Sequence, residues 1–249
     1  MKVTFVHHSC FCVEIESKVF IFDYFQGDRI EGFSFGGSLP EFSRDQEIYV
    51  FSSHQHRDHF DLAIFSWQEK YPKIQYILAK DIRLGDNYLI RNGVDPKAKD
   101  RIHFLKGNAS LELDGILVET FPSTDEGVAF LVTFAGKSIY HAGDLHWWHW
   151  EGEEEVFNQY QEKTYKRQID KLAGRHIDIA FVVIDQRLGD ATFWGIKYFM
   201  EHVQADHVVP MHLWQNYGLI GQLQSLQEAA SDRERIVVVE KENQVLFED

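Results

Sequence analysis

The sequence predicts an α/β protein with two mixed sheets in one body and helices packed outside them. Three observations predict it. The first half carries short β-branched and aromatic runs with tight breaks, the second half alternates helical and strand patterns, and no Pro/Ser-rich linker separates the halves. The 249 residues are therefore expected to form a single domain (1–249), long enough to bury a substantial core.

Val3–Val6, Cys10–Ile15 and Val19–Asp23 read as a meander that opens a sheet. Gly27 to Gln46 is Gly-rich and irregular, with the length of a lid or binding loop or of a plain surface excursion. Glu47–Phe51 reads as a buried strand, Leu62–Tyr71 as a helix ended by Pro72, and Ile74–Ala79 as another strand. Further β runs follow at Ile102–Leu105, Leu111–Leu113, Ile116–Phe121, Val128–Phe134 and Ser138–His141, the last pair joined through a turn at Gly136. Glu153–Leu172 is predicted as a long helix: acidic residues crowd its first turn, Lys166 and Arg167 come late, and Tyr165, Ile169 and Leu172 share one face. Ile179–Ile184 (strand), Thr192–His202 (helix), His207–Val209 (strand), Gln222–Ala230 (helix), Arg235–Glu240 (strand) and Val245–Phe247 (strand) complete the pattern.

Lys plus Arg number 25 against 39 Asp plus Glu, and the resulting net charge of −14 repels polyanions. A small-molecule substrate is expected as partner, with neither nucleic acid nor membrane; the oligomeric state is left open. No apolar run approaches the ~20 residues of a bilayer span, and the opening residues lack a secretory hydrophobic region, so a cytoplasmic location is expected. Cys10 and Cys12 lie two apart in a strand, where both side chains point to one face and a strainless disulfide is disfavoured.

The chain has 13 His, and the spacing of three of them with one Asp carries chemistry. His54-Gln-His56-Arg-Asp58-His59 directly follows the apolar strand, in the turn leaving its C-terminal end. Zinc and similar cations take neutral imidazole nitrogen with carboxylate oxygen from rigidly held positions, and this turn supplies most of one such ligand set. It resembles the His-x-His-x-Asp-His signature of the metallo-β-lactamase superfamily. His8-Ser9-Cys10-Phe11 followed by Val19-Phe20-Ile21-Phe22-Asp23 is similar to the start of that superfamily's ascorbate-6-phosphate lactonase-like branch. Ile139-Tyr140-His141-Ala142-Gly143-Asp144 and Val209-Pro210-Met211-His212 resemble its later motifs.

The resemblance implies a four-layer αββα sandwich with two metal subsites. His54 and His56 would serve the first, Asp58, His59 and His212 the second, with Asp144 bridging both. One or two divalent ions are expected, zinc foremost, with manganese or iron as alternatives. Superfamily members with two full subsites carry a further His between the strands corresponding to Ile116–Phe121 and Val128–Phe134. Here that turn is Pro122-Ser123-Thr124-Asp125-Glu126-Gly127. Asp125 or Glu126 would replace the imidazole as an oxygen donor, Ser123 or Thr124 would hold a metal-bound water, or a single ion would occupy only the Asp58, His59, Asp144 and His212 set.

The expected chemistry is hydrolysis of a lactone, ester, amide or phosphoester by a metal-activated water. Asp58 would orient or deprotonate that water. His8 or His141 would protonate the leaving group, or hydrogen-bond a ligand carboxylate instead. Trp147 and Trp148, in the aromatic run after Asp144, and Asp185 and Arg187 are candidate substrate contacts. The competing readings are a nuclease or phosphodiesterase of the same superfamily, which the net charge disfavours, and a catalytically weak metal-containing binding module.

Overall fold

The computed structural model describes residues 1–27, 30–227 and 231–248. The chain forms two compact units, one of Met1–Lys106 with the C-terminal residues from Lys241, the other of Gly107–Glu240. Among the described residues no helix is long and apolar enough to cross a membrane.

The first unit is built on a seven-stranded mixed sheet. The strands are β1 (Lys2–His7), β2 (Cys10–Ile15), β3 (Lys18–Phe22), β4 (Glu47–Ser52), β5 (Gln75–Ala79) and β6 (Ile102–Leu105), and the terminal strand Gln244–Glu248 pairs beside β1. Pairing is antiparallel from the terminal strand to β3 and parallel from β3 to β6. Side chains alternate across a strand, so Cys10 and Cys12, Val19 and Ile21, and Ile48 and Val50 share one face, packed with Ile64 and Phe65. The other face, with Phe11, Phe20, Phe22 and Phe51, is buried as well, which is why these strands read as continuous apolar runs. Both cysteines are free and buried.

Two local details differ from expectation. The segment after β4 is helical but wound as a 3₁₀ turn (Leu62–Glu69), the tighter form of short connectors, begun by Asp61, whose side chain accepts from Ala63 N. A helix α1 (Asp86–Arg91) and a 3₁₀ turn at Pro96–Arg101 fill a stretch for which the sequence pattern gave no element.

Gly27 to Gln46 carries no strand or helix among its described residues, Asp28 and Arg29 lying outside them. It is pinned nonetheless. Gly36 N donates to Glu242 Oε2 (2.6 Å) and Ser38 N to Asn243 Oδ1 (2.8 Å). A Cβ on Gly37 would sit 2.3 Å from Val6 O, so only glycine permits this approach of two backbones. The loop brings Phe35 against the rings of His7 and His8. His7 is buried; its Nε2 donates to Phe25 O (3.1 Å), and burial pushes its pKa down to about 4.

The unfolded chain protonates His7 near pH 6.5 and the folded one near 4, so the stabilisation is complete above pH 6.5 and is lost as pH falls toward 4. It amounts to at most about 3 kcal/mol. Urea unfolding at pH 7 and pH 4.5 is expected to show that loss, and His7→Gln to shrink the difference between the two pH values.

The second unit holds β7 (Ser110–Leu113), β8 (Ile116–Pro122), β9 (Val128–Phe134), β10 (Lys137–His141), α2 (Glu155–Ile169), β11 (His176–Val183), α3 (Trp194–His202), β12 (Gln204–Met211) and α4 (Gly218–Ser225). Its six strands stand in the order β7 to β12, antiparallel through β10 and parallel from β10 to β12. The β9–β10 turn places Ala135 and Gly136 at positive φ, as a tight hairpin requires. Pro210 is tolerated in β12 because β12 is an edge strand.

The expected strand Arg235–Glu240 is not formed. Arg233–Arg235 is a 3₁₀ turn, and only Ile236 bridges to Val208 beyond it. Arg235 spends its guanidinium on the carbonyls of Met200, Val203 and Ala205, which ties the segment to the end of α3 instead of aligning it along β12. The helix expected at Gln222–Ala230 starts earlier, as α4, and its last three residues lie outside the described ones.

Candidate metal centre

Donor side chains cluster at the C-terminal ends of parallel strands in each unit, the usual location of ligands in open α/β sheets. In the first unit β4 ends at Ser52, and the chain turns through His54, His56, Asp58 and His59, with His59 N and Phe60 N both donating to His56 O. Asp23, at the end of β3, organises this turn from below. Its Oδ1 accepts from Ser53 N (2.7 Å), and its Oδ2 accepts from Ser53 Oγ (2.6 Å) and His59 Nδ1 (2.7 Å).

These bonds fix protons. His59 carries its hydrogen on Nδ1, which turns Nε2 toward Asp58 Oδ2 at 3.6 Å. Ser53 gives its only hydroxyl proton to Asp23, so its oxygen accepts from His54 Nδ1 (2.9 Å). His54 Nε2 then lies 2.9 Å from His56 Nδ1, bringing two ring nitrogens to one point. His8, buried, places Nε2 3.4 Å from Asp58 Oδ2, and His8, Asp58 and His59 each offer a ligand atom within 4.8 Å of the others.

The second unit repeats the arrangement. His212 follows β12, and its Nδ1 lies 3.0 Å from Asp185 Oδ2 while its Nε2 faces Asp144 Oδ1 at 3.7 Å. Asp185 is buried at the end of β11. Burial alone would raise its pKa, but hydrogen bonds from His212 and Arg187 and their positive charges hold it well below the usual carboxylate range. Arg187 grips it through Nε and Nη2, and Trp214 Nε1 donates to it at 3.2 Å. Asp144 leaves β10 after Gly143, at φ 52°, and its carbonyl accepts from Trp148 Nε1 (3.0 Å).

The turn that lacks the expected imidazole places Asp125 beside Asp144, a ligand oxygen of each within 4.8 Å of the other. Thr124 secures it: its hydroxyl donates to His146 O (2.6 Å) and accepts from His146 N (3.0 Å), clamping the β8–β9 turn to the loop after Asp144. His146 itself is buried, and burial pushes its pKa down to about 4, against the opposing pull of Asp185. A Cβ on Gly195 would lie 2.5 Å from its ring, so this glycine makes room for it.

The donor chemistry fits a divalent cation. Each unit contains a carboxylate–imidazole–carboxylate row, Asp23–His59–Asp58 and Asp185–His212–Asp144, in which the rear carboxylate fixes the ring and the front one shares its outward face. Metal-binding His takes this support. Two carboxylates as close as Asp125 and Asp144 repel each other, and a cation relieves that repulsion. Left-handed backbone occurs here too: His8, Asp23 and His212 have φ of 45°, 47° and 64°, a region that few non-glycine residues occupy.

Other expected site residues fall into different surroundings. His141 is buried, with Nδ1 accepting from Gly143 N (3.1 Å), in support of the turn that carries Asp144. Asp185 has no exposed surface and orients His212. Arg187 reaches outward from it, its guanidinium 4.7 Å from the centre of the Trp214 ring. Trp148 lies against His212 at 6.0 Å, whereas Trp147 faces Lys166 and Trp194. The sequence reading gave no role to Asp23, and it offered Thr124 as a holder of metal-bound water, whereas the Thr124 hydroxyl forms the clamp to His146. Asp23 ends the apolar strand within a quoted motif, which is the one signal that marked it.

Comparison with known proteins supplies a family and a fold. The family model described as "Beta-lactamase superfamily domain" matches residues 2–158. A structure described as that of a metal-dependent hydrolase from Parabacteroides distasonis ATCC 8503 shares 16% identity and a TM-score of 0.60, over 96% of this chain and 92% of that one. Isothiocyanate hydrolase from Delia radicum gut bacteria shares 15% identity and a TM-score of 0.55, over 100% and 99%. CmlA, a diiron β-hydroxylase from Streptomyces venezuelae, shares 13% identity and a TM-score of 0.55, over 85% and 44%. The fold is the expected α/β sandwich class, two mixed sheets with flanking helices.

Proposed function

Because this chain belongs to the metallo-β-lactamase superfamily, whose model spans residues 2–158, we propose that it is a metal-dependent hydrolase of a small molecule with an altered first metal subsite. The observation that carries the reading is the pair of matching rows, Asp23–His59–Asp58 and Asp185–His212–Asp144. His54, His56, Asp144 and Asp125 would form one ligand set. Asp58, His59 and His212 would form the other, with His8 beside Asp58.

A divalent ion held there would supply Lewis acidity and pull the pKa of a bound water down toward neutrality. The protein does the rest. Asp58, partly exposed and flanked by two imidazoles, accepts a proton from the attacking water. Asp23 and Asp185 keep His59 and His212 in the tautomer that offers Nε2 outward. The Trp148 ring against His212 and the Phe35 ring against His8 supply apolar walls that limit water. An oxygen donor at Asp125 in place of nitrogen favours harder ions, manganese or iron over zinc.

The test is a screen of lactones, 4-nitrophenyl esters and a 4-nitrophenyl phosphodiester against protein reconstituted with zinc, manganese or iron, with His59→Ala as control. The expected result is lactone or ester turnover, highest with manganese or iron and abolished in His59→Ala, with Asp125→His moving the preference toward zinc. Turnover indifferent to His59→Ala overturns the reading, and turnover of the diester alone replaces it with the phosphodiesterase.

A further inference from the structure

We propose that the outer face of α2 is a self-association surface, on which a second copy of this chain docks with its own α2 running antiparallel. Asn158, Gln161, Thr164, Tyr165, Gln168 and Ile169 are buried and turn one side of α2 toward the rest of its unit. Val156, Tyr160, Lys163 and Arg167 recur on the outer side at i, i+4, i+7 and i+11, and all four are exposed. Val156 at 76% and Tyr160 at 62% are the two most exposed large apolar side chains among the described residues. They lie one turn apart, with Phe157 beside them at 39%.

The charges along this face are sorted by sign. Glu153, Glu154 and Glu155 precede the apolar group, and Lys163 and Arg167 follow it. All five are exposed, and among the described residues none of them stands in an ion pair. Glu162 and Lys166, on the flank, neutralise each other. The helix macrodipole favours acid at the start and base at the end. It gives no reason for three apolar side chains held in water between the two.

A second copy supplies what this face lacks. Glu153 and Arg167 lie seven residues either side of Tyr160, and Phe157 and Lys163 lie three either side. A twofold axis near Tyr160 therefore sets Arg167 against the partner's Glu153 and lays the Lys163 stem along the partner's Phe157, while the apolar groups of the two copies cover one another. Parallel docking sets glutamate against glutamate and arginine against arginine. A purely basic peptide satisfies only the acidic end, and an anionic lipid surface is repelled by it. One helix face against another is at the small end of specific interfaces, so the dimer is expected in the micromolar range. None of the proposed metal ligands lies on α2, so this inference stands or falls apart from the hydrolase reading.

The test is sedimentation velocity of the full chain from about 1 to 200 µM, a range that brackets such a dimer. A reversible monomer–dimer equilibrium is expected. Tyr160→Ser, Arg167→Glu and Glu153→Lys, all exposed substitutions that leave the core alone, should each weaken it about tenfold or more. Glu153→Lys and Arg167→Glu combined in one chain should restore the parent's affinity to within about threefold. The two positions are about 20 Å apart along the helix, beyond the ~10 Å reach of screened charges, so the recovery comes only from pairing between copies. A chain that stays monomeric throughout this range overturns the proposal. So does a dimer indifferent to Tyr160→Ser and Arg167→Glu, which places the contact elsewhere, or a combined variant that dimerises no better than the single ones.

Discussion

Asp23→Ala is expected to lower both retained metal and hydrolysis at least about 100-fold, more than a single supporting partner normally costs, because Asp23 supports two imidazoles at once. Its carboxylate accepts from Ser53 N, Ser53 Oγ and His59 Nδ1. Removing it leaves His59 able to take the other tautomer, with the hydrogen on the nitrogen that must offer a lone pair. It also releases the Ser53 hydroxyl, so the bond that fixes His54 through Nδ1 no longer has a defined direction. Asp23→Asn is expected to fall nearly as far, since an amide nitrogen would set a donor against donors. Metal content by mass spectrometry and kcat/KM on the substrate found by screening check this. Full metal retention in Asp23→Ala would mean that His54 and His59 are held by other means.

Asp185→Asn is the second large effect, a loss of about 10- to 100-fold in metal affinity accompanied by lower stability. Asp185 has no exposed surface and faces both His212 and the fork of Arg187. The amide keeps the shape but removes the charge, so His212 loses its anionic partner and Arg187 is left beside a neutral group. Breaking a buried ion pair by removing one partner costs roughly 3–5 kcal/mol, and the half-exposed position of Arg187 reduces that figure here. Arg187→Gln is expected to be milder, because the carboxylate still meets His212 and Trp214. Thermal unfolding with and without added metal separates the two consequences. If Asp185→Asn matches the parent protein in metal affinity while losing stability, Asp185 is a structural anion only.

The front of the site was legible in the sequence and its rear was not, for a physical reason. His54, His56, Asp58 and His59 are within six residues of one another after an apolar run, so spacing alone exposes them. Asp23 meets His59 across 36 positions and Asp185 meets His212 across 27, by way of strand pairing that no local pattern encodes. Asp185 was accordingly expected to touch substrate, and its burial was invisible until β11 and β12 were seen to run parallel side by side. The same limit applies to the fold. Strands buried on both faces announce themselves, as Val19–Phe22 and Ile48–Phe51 do, while the expected strand Arg235–Glu240 shares their composition but is tied to α3 through Arg235. Asp125 was one of four candidates in the turn that lacks the imidazole, and its carboxylate lies beside that of Asp144, a proximity across 19 positions that no local spacing reveals.

Metal content decides whether the carboxylate-held imidazoles of the two rows bind a divalent ion, measured on His59→Ala and His212→Ala proteins beside the parent chain, each purified without chelator. Either substitution is expected to lower bound metal and abolish hydrolysis. A His212→Ala protein that keeps its full metal content and its turnover would contradict it.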